Sequence, residues 1–134
     1  MELNKIISFL SRYPGFAGYR WETDCLPHSP QMATLTGQGI KTIDYIEDVL
    51  GNWKKTIGYT CTLVFSGNGK AQMLWDLQNW VARQSAPQLG QGRKTVSLRE
   101  GRHLTKNKLG LDLYTAQLKL TYELFYEVNE HGEN

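Results

Sequence analysis

The chain has 134 residues, of which 40% are apolar and 21% are charged, and this length and composition are typical of one globular domain, residues 1–134. No apolar run approaches the ~20 residues of a membrane-spanning helix, so we expect no membrane partner. The formal net charge of +2 at pH 7 excludes neither a nucleic-acid partner nor a protein partner.

The first predicted element is a short N-terminal helix that ends at Pro14-Gly15. Residues 14–39 stay unassigned, although an imperfect alternation at 19–25 indicates a strand. The first residues, MELNKIISFLSRYP, lack the long apolar run and cleavage site of a signal peptide, so we expect a cytoplasmic protein with Cys25 and Cys61 reduced. The residues at helical spacing are Leu3, Ile6, Ile7 and Leu10.

Two β-like runs follow, at residues 40–50 and 53–65. They flank Gly51-Asn52, a dipeptide typical of a two-residue hairpin turn, and with that turn Asp48 faces Lys55. The second run alternates, so we predict that one of its faces is buried and the other is wet. Its apolar positions are Trp53, Ile57, Tyr59, Cys61, Leu63 and Phe65.

A second amphipathic helix is predicted from about Lys70 to Gln84. A Gly-rich loop, a short strand from Thr95 and a polar turn then lead to the closing strand, in which a change of phase between Leu113 and Ala116 indicates a bulge. This order predicts an α+β fold, a mostly antiparallel β-sheet with two α-helices packed on one face. The stripe of the second helix comprises Met73, Leu74, Leu77, Trp80, Val81 and Gln84.

The closing strand is unusually regular and long, since every even position from Ala116 to Val128 is apolar. Thirteen residues at ~3.3 Å each would run roughly 43 Å, about twice the usual length. The strand therefore either crosses the whole domain or protrudes and meets another chain by strand addition. The candidate residues of such an inter-subunit strand are Tyr122, Leu124, Tyr126 and Val128.

No residue constellation predicts catalysis, a cofactor or a metal. The SGNGK segment at 66–70 has the wrong spacing for a phosphate loop, and we interpret it as a strand-to-helix turn capped by Ser66 or Asn68. Asp24, Cys25 and His28 lie in a Pro-flanked loop with no base and oxyanion donor arranged around a nucleophile. The histidines are scattered without zinc-ligand spacing, so we expect a protein that is not an enzyme.

One segment, residues 93–108, has a local charge bias, with Glu100 as its single acid. It is interpreted either as a solvated hairpin whose cations guard a sheet edge, or as a docking patch for an acidic protein rim or DNA phosphates. The candidate docking residues are Arg93, Lys94, Arg99, Arg102, Lys106 and Lys108.

Residues 53–127 contain, in order, a strand ending in an apolar run, a helix with a late tryptophan, a Gly-rich loop, and a final strand rich in tyrosine. The residues that carry this order are Leu63, Val64, Phe65, Trp80, Pro87, Leu89, Gly90 and Gly92. In this order the segment resembles a family commonly labelled minor capsid protein, found in long-tailed phages and prophages of Gram-positive bacteria and related to tail terminators. The basic turn with Lys106 and Lys108 departs from the more acidic turn of the relatives.

The resemblance implies a non-enzymatic virion protein of the tail or neck, present in the host cytoplasm during assembly. Such proteins form a ring of identical subunits, usually a hexamer, that caps the tail tube, ends its polymerisation and offers a surface to the head connector while DNA passes through without sequence-specific binding. The implied partners are therefore further copies, the tail tube protein and the head connector protein. Alternatives are a head–tail connector or neck adaptor, and a DNA-binding module that uses residues 93–108.

Overall fold

The computed structural model describes residues 2–67, 71–106 and 110–128, except for the side chains of residues 2, 93, 105 and 106. Within these ranges, no helix has the length and apolar character needed to cross a membrane. A 3-10 turn at Pro14–Phe16 follows the first helix. The helices are α1 (Glu2–Leu10) and α2 (Ala71–Ala82), and the strands are β1 (Arg20–Thr23), β2 (Met32–Glu47), β3 (Trp53–Ser66), β4 (Gln91–Lys106) and β5 (Asp112–Tyr126).

The five strands form one sheet in the order β1-β2-β3-β5-β4. Every neighbouring pair is antiparallel except β1 and β2, which run parallel over four residues. Both helices contribute buried side chains to the same core cluster as β3 and β5. The predicted α+β class, a mostly antiparallel sheet with two helices, is therefore confirmed.

The apolar stripes of both helices pack against alternate residues of the two central strands. Ile6, Phe9 and Leu10 of α1 are at most 2% exposed, and Leu74, Leu77 and Val81 of α2 are buried as their spacing predicts. Side chains directly opposite in an antiparallel pair share a face, which joins these residues into one layer. The strand residues of this layer are Cys61, Leu63, Phe65, Ala116, Leu118 and Leu120.

The predicted bulge between Leu113 and Ala116 is wrong. The β3–β5 register runs without a shift from Ser66 opposite Leu113 to Trp53 opposite Tyr126. The alternation of β5 is lost there because both faces are covered: a second, smaller cluster of Val64, Leu111 and Leu113 lies apart from the main core. The register shifts occur instead in the β4–β5 pair.

The predicted two-residue turn is also wrong, since Glu47 lies opposite Trp53 and a five-residue loop joins β2 to β3. Asp48 does not face Lys55; its carboxylate accepts hydrogen bonds from the backbone N–H groups of Leu50 at 2.8 Å and Asn52 at 3.1 Å. The Asn52 side chain also donates to it at 2.8 Å. An aspartate that binds its own loop is a common means of closing a turn, and here it sets the register.

The unassigned region contributes a strand, β1, and the first eight residues of β2. A buried hydroxyl fixes this part to the sheet: Ser66 accepts a hydrogen bond from the backbone N–H of Met32 at 3.1 Å. Tyr19 donates a hydrogen bond to the Ser66 carbonyl at 2.6 Å. Ser66 is therefore a residue of β3 and not the cap of α2, and Asn68 and Lys70 lie outside the described residues.

Candidate interaction surface

The β2–β3 hairpin extends beyond the part of the sheet that β1 borders, and we call residues 36–60 the arm. β1 ends at Thr23, opposite Leu35, so it covers only the first residues of β2. Among the described strands, none pairs with β2 on that side from Thr36 to Glu47. The arm therefore presents an open strand edge, with backbone donors and acceptors available to another chain.

Large apolar side chains are exposed on the arm, and residues 37–47 of β2 are exposed throughout. Ile40 is 59% exposed and Ile46 is 55% exposed. Opposite positions share a face, so Ile40, opposite Tyr59 in the core layer, points to the helix side, whereas Ile46, opposite Lys54, points to the other side. Contiguous exposure of this kind marks interaction surfaces. The other exposed apolar residues of the arm are Ile43, Tyr45, Val49 and Leu50.

Three aromatic rings stiffen the arm near its tip. Trp53 stacks between Tyr45, at 6.3 Å between ring centroids, and Tyr126 of β5, at 5.8 Å. The Lys55 ammonium lies 4.9 Å from the Trp53 ring centroid, a cation–π distance. The Tyr45 hydroxyl donates to Glu47 at 2.6 Å, and this hydrogen bond raises the pKa of Tyr45. These ring contacts connect β2, β3 and β5, so side-chain packing holds the three strands together near the tip of the arm.

Beyond Lys41 the β2 strand and the loop of the arm are acidic, whereas Lys54 and Lys55 lie on β3. After Lys41, the strand and loop carry Asp44, Glu47 and Asp48 and no cation. The Asn52 amide, with backbone N–H groups of the turn, lowers the pKa of Asp48, so this carboxyl stays charged at neutral pH. These three acids lie along the open edge and its loop.

A shallow groove of about 500 Å³ lies at the base of the arm. The Ile43 side chain packs directly on Gly58 there, so close that a Cβ atom added to Gly58 would lie 2.7 Å from the Ile43 Cδ1 atom. Lys41 and Lys119 flank this groove on exposed strand positions. The groove is open, and no carboxylate, cysteine or histidine is among the residues that line it.

The predicted docking patch lies on β4, the strand at the opposite edge of the sheet. Arg99 and Arg102 are exposed and Lys94 is half-buried, and none of the three forms an ion pair with an acid among the described side chains. The side chains of Arg93 and Lys106, and the whole of Lys108, lie outside the described residues. The structure thus places the described cations along one edge, and their docking role stays a prediction.

The predicted inter-subunit strand requires a correction. β5 lies between β3 and β4, and Tyr122 pairs with Ile57 on one side and Lys94 on the other. Tyr122 is 6% exposed, so strand addition through it has no free edge. The sequence left two interpretations open, a strand that crosses its own domain and a strand that protrudes to meet another chain. The structure supports the first, because β5 pairs with β3 along its length. A contact of Leu124 with another copy stays a prediction, as do contacts of Tyr126, which stacks on Trp53, and Val128, whose N–H donates to Asn52 at 2.7 Å.

The weaker chemical candidates do not assemble into a reactive site. His28 lies 3.0 Å from a Glu22 carboxylate oxygen, and Cys25 is an exposed free thiol. Burial raises the pKa of the other free thiol, Cys61, to about 12, which keeps it protonated. Within residues 2–67, 71–106 and 110–128, no group of three metal-binding side chains comes together.

The sequence did not single out the arm edge, although its strands were predicted. The signal was available in Ile40, Ile43 and Ile46, whose spacing of three does not suit a strand with one buried face. No protein-family model matches the chain, and no curated protein matches it significantly.

Proposed function

We propose that the protein is a structural subunit of a phage or prophage tail, which forms a closed ring on the tail tube, ends the polymerisation of the tube and provides the head-joining surface. The resemblance of residues 53–127 to the minor capsid and tail terminator family supports the biological setting. The arm carries the physical part of the proposal, because it combines an open edge with exposed apolar side chains.

An arm of this composition is unfavourable on an isolated subunit. Soluble monomers usually blunt open strand edges with charges, prolines or covering loops and keep exposed apolar patches small. Here Ile40 and Ile46 project from opposite faces of a strand whose backbone is open on one side. Another protein surface that covers this strand would bury the side chains and pair the backbone groups at once.

A ring gives every subunit the same environment. The contact between neighbours in a ring is heterologous, which means that one surface of a subunit meets a different surface of the next, and a rotation that closes prevents a fibre. The exposed arm is one such surface. A ring also leaves a central passage for DNA, which needs no base-specific contact.

Deletion of the gene from its phage or prophage, followed by electron microscopy of the particles, tests the function. We expect tail tubes of uncontrolled length that fail to join heads, and a plasmid copy of the wild-type gene should restore normal particles. Tails of normal length that lack heads would favour the neck adaptor. Normal infectious particles in the absence of the protein would refute the proposal.

A further inference from the structure

We propose that successive copies join edge to edge, with the open β2 edge of one copy against the β4 edge of the next. This inference deepens the proposed function, because it rests on the ring and names the two surfaces that close it. The occupant of the arm edge is thus a second copy of this chain. Strand direction, the extent of the two open edges, side-chain character and charge all support it.

Strand directions at the two edges are compatible. β2, β3, β5 and β4 are neighbours in that order and each pair is antiparallel, so β2 and β4 run in opposite directions. A rotation about an axis along the strands preserves these directions in the next copy. The β4 strand of one copy therefore meets the β2 strand of its neighbour as an antiparallel pair, as in an ordinary sheet.

The two edges are also open at the same level of the sheet. We call residues that are paired from strand to strand across the whole sheet a row. Thr36 of β2 and Arg99 of β4 belong to one row, and Thr42 and Lys94 belong to another. β4 keeps a regular register over Lys94–Arg99 and is disrupted between Arg99 and Arg102. Arg102 is in the row of Thr34, where β1 begins to cover the other edge. The regular part of β4 thus matches the open part of β2.

The side chains at this level suit a continuous sheet. One row comprises Ile40, Tyr59, Leu120 and Val96, and all four share the face on which the helices pack. This apolar row ends with an exposed isoleucine at one edge and a half-buried valine at the other. A neighbour that places Val96 beside Ile40 would extend the row and remove the isoleucine from water.

The two edges have net charges of opposite sign. The open part of β2 carries Lys41 with the acids Asp44 and Glu47, whereas β4 carries Glu100 as its single acid, and its cations Lys94 and Arg99 form no ion pair with an acid among the described side chains. Two arms placed together would oppose acids, and two β4 edges would oppose cations. Like charges across an interface disfavour a wrong pairing, so the charges favour the head-to-tail contact that a ring requires over a two-fold dimer.

Cysteine cross-linking tests the contact in full-length protein with Cys25→Ser. Thr42→Cys and Lys94→Cys lie in the same row at the two edges, and paired residues of neighbouring antiparallel strands are within disulfide reach. Under mild oxidation, a mixture of the two variants should give a cross-linked dimer, and one chain with both changes should give a ladder that stops at the ring size. Each single variant alone should stay largely uncross-linked. A mixture of Thr42→Cys with Asn79→Cys, at an exposed position of α2, is the control and should also stay largely uncross-linked.

Charge reversal provides a second measurement, of the overall charge of the two edges, because Asp44 and Lys94 project from opposite faces of the sheet and do not form a direct pair. Asp44→Lys or Lys94→Glu alone should weaken association several-fold at low ionic strength, and mixing the two variants should restore part of it. An oligomer in which Thr42→Cys cross-links to itself, or in which neither cross-linking nor charge reversal has an effect, overturns the edge contact and leaves the ring intact. A single subunit at every concentration and in assembled tails overturns both.

Discussion

The exposed isoleucines of the arm predict a measurable contribution to self-association. Ile40 and Ile46 are 59% and 55% exposed. Fully burying an isoleucine side chain is worth ~1.5–3 kcal/mol, so each of these half-covered side chains has ~1 kcal/mol left to gain at an interface. Replacing both with threonine keeps the β-branched shape that strands favour. Ile40 lies in the row of Val96, so its loss of ~1 kcal/mol per contact follows from the edge pairing, and Ile46 adds ~1 kcal/mol if the neighbour also covers the tip of the arm. The double variant should therefore weaken association roughly 5- to 30-fold.

Sedimentation equilibrium over a concentration series measures this change, and urea unfolding of the dissociated chains checks the fold. Because Ile40 and Ile46 are exposed, the free energy of unfolding should change by less than about 0.5 kcal/mol. Leu26→Ser is the matched control, since Leu26 is 59% exposed and lies outside the arm. Equal weakening by this control, or association of the double variant like the wild type, would show that the exposed isoleucines do not contribute to the contact.

Four further predictions concern the stability of the fold and the accessibility of its thiols. Ser66→Ala leaves a buried backbone N–H without its acceptor, so urea unfolding should show a loss of about 1–3 kcal/mol, and an unchanged midpoint would contradict this role. Leu118→Ala should cost about 2–5 kcal/mol, whereas Lys119→Ala, on the other face of β5, should cost less than about 0.5 kcal/mol; equal losses in thermal or urea unfolding would contradict the placement of the core. At pH 8 a thiol reagent should label exposed Cys25 quickly and Cys61, whose pKa is about 12, only on unfolding, and two fast thiols would be the contrary result. Because the unfolded Cys61 thiol ionises above its ordinary pKa of 9.0 and the folded thiol does not, stability should fall as the pH rises from 9 towards 12.

The sequence predicted the parts of the fold that bury one face. Leu74, Leu77 and Val81 are separated by three and four residues, so a helix that buries them leaves a polar face, and this pattern has one simple explanation. Alternation in β5 identified Leu118 and Leu120 in the same way. These residues are buried because they lie on the face of the sheet against which the helices pack.

The N-terminal half of β2 was missed because both of its faces are covered. Met32, Ala33, Thr34 and Leu35 are all at most 1% exposed, and a strand buried on both sides has no alternation to detect. The hairpin register failed for another reason. Gly51-Asn52 is a strong local turn signal, but the Asp48 carboxylate binds two backbone N–H groups and the Asn52 amide, and this network favours a longer loop.

Apolar alternation does not distinguish a core from an interface, but the lengths of the elements do. The longer helix, α2, has 12 residues and spans ~18 Å at 1.5 Å per residue. The β2 strand has 16 residues and runs ~53 Å at 3.3 Å per residue. Even a helix lying along the strands would cover less than half of that length, so part of the sheet must extend beyond it. A strand end that extends past its helices and still carries isoleucines needs another surface to bury them, and the arm meets that condition on both faces.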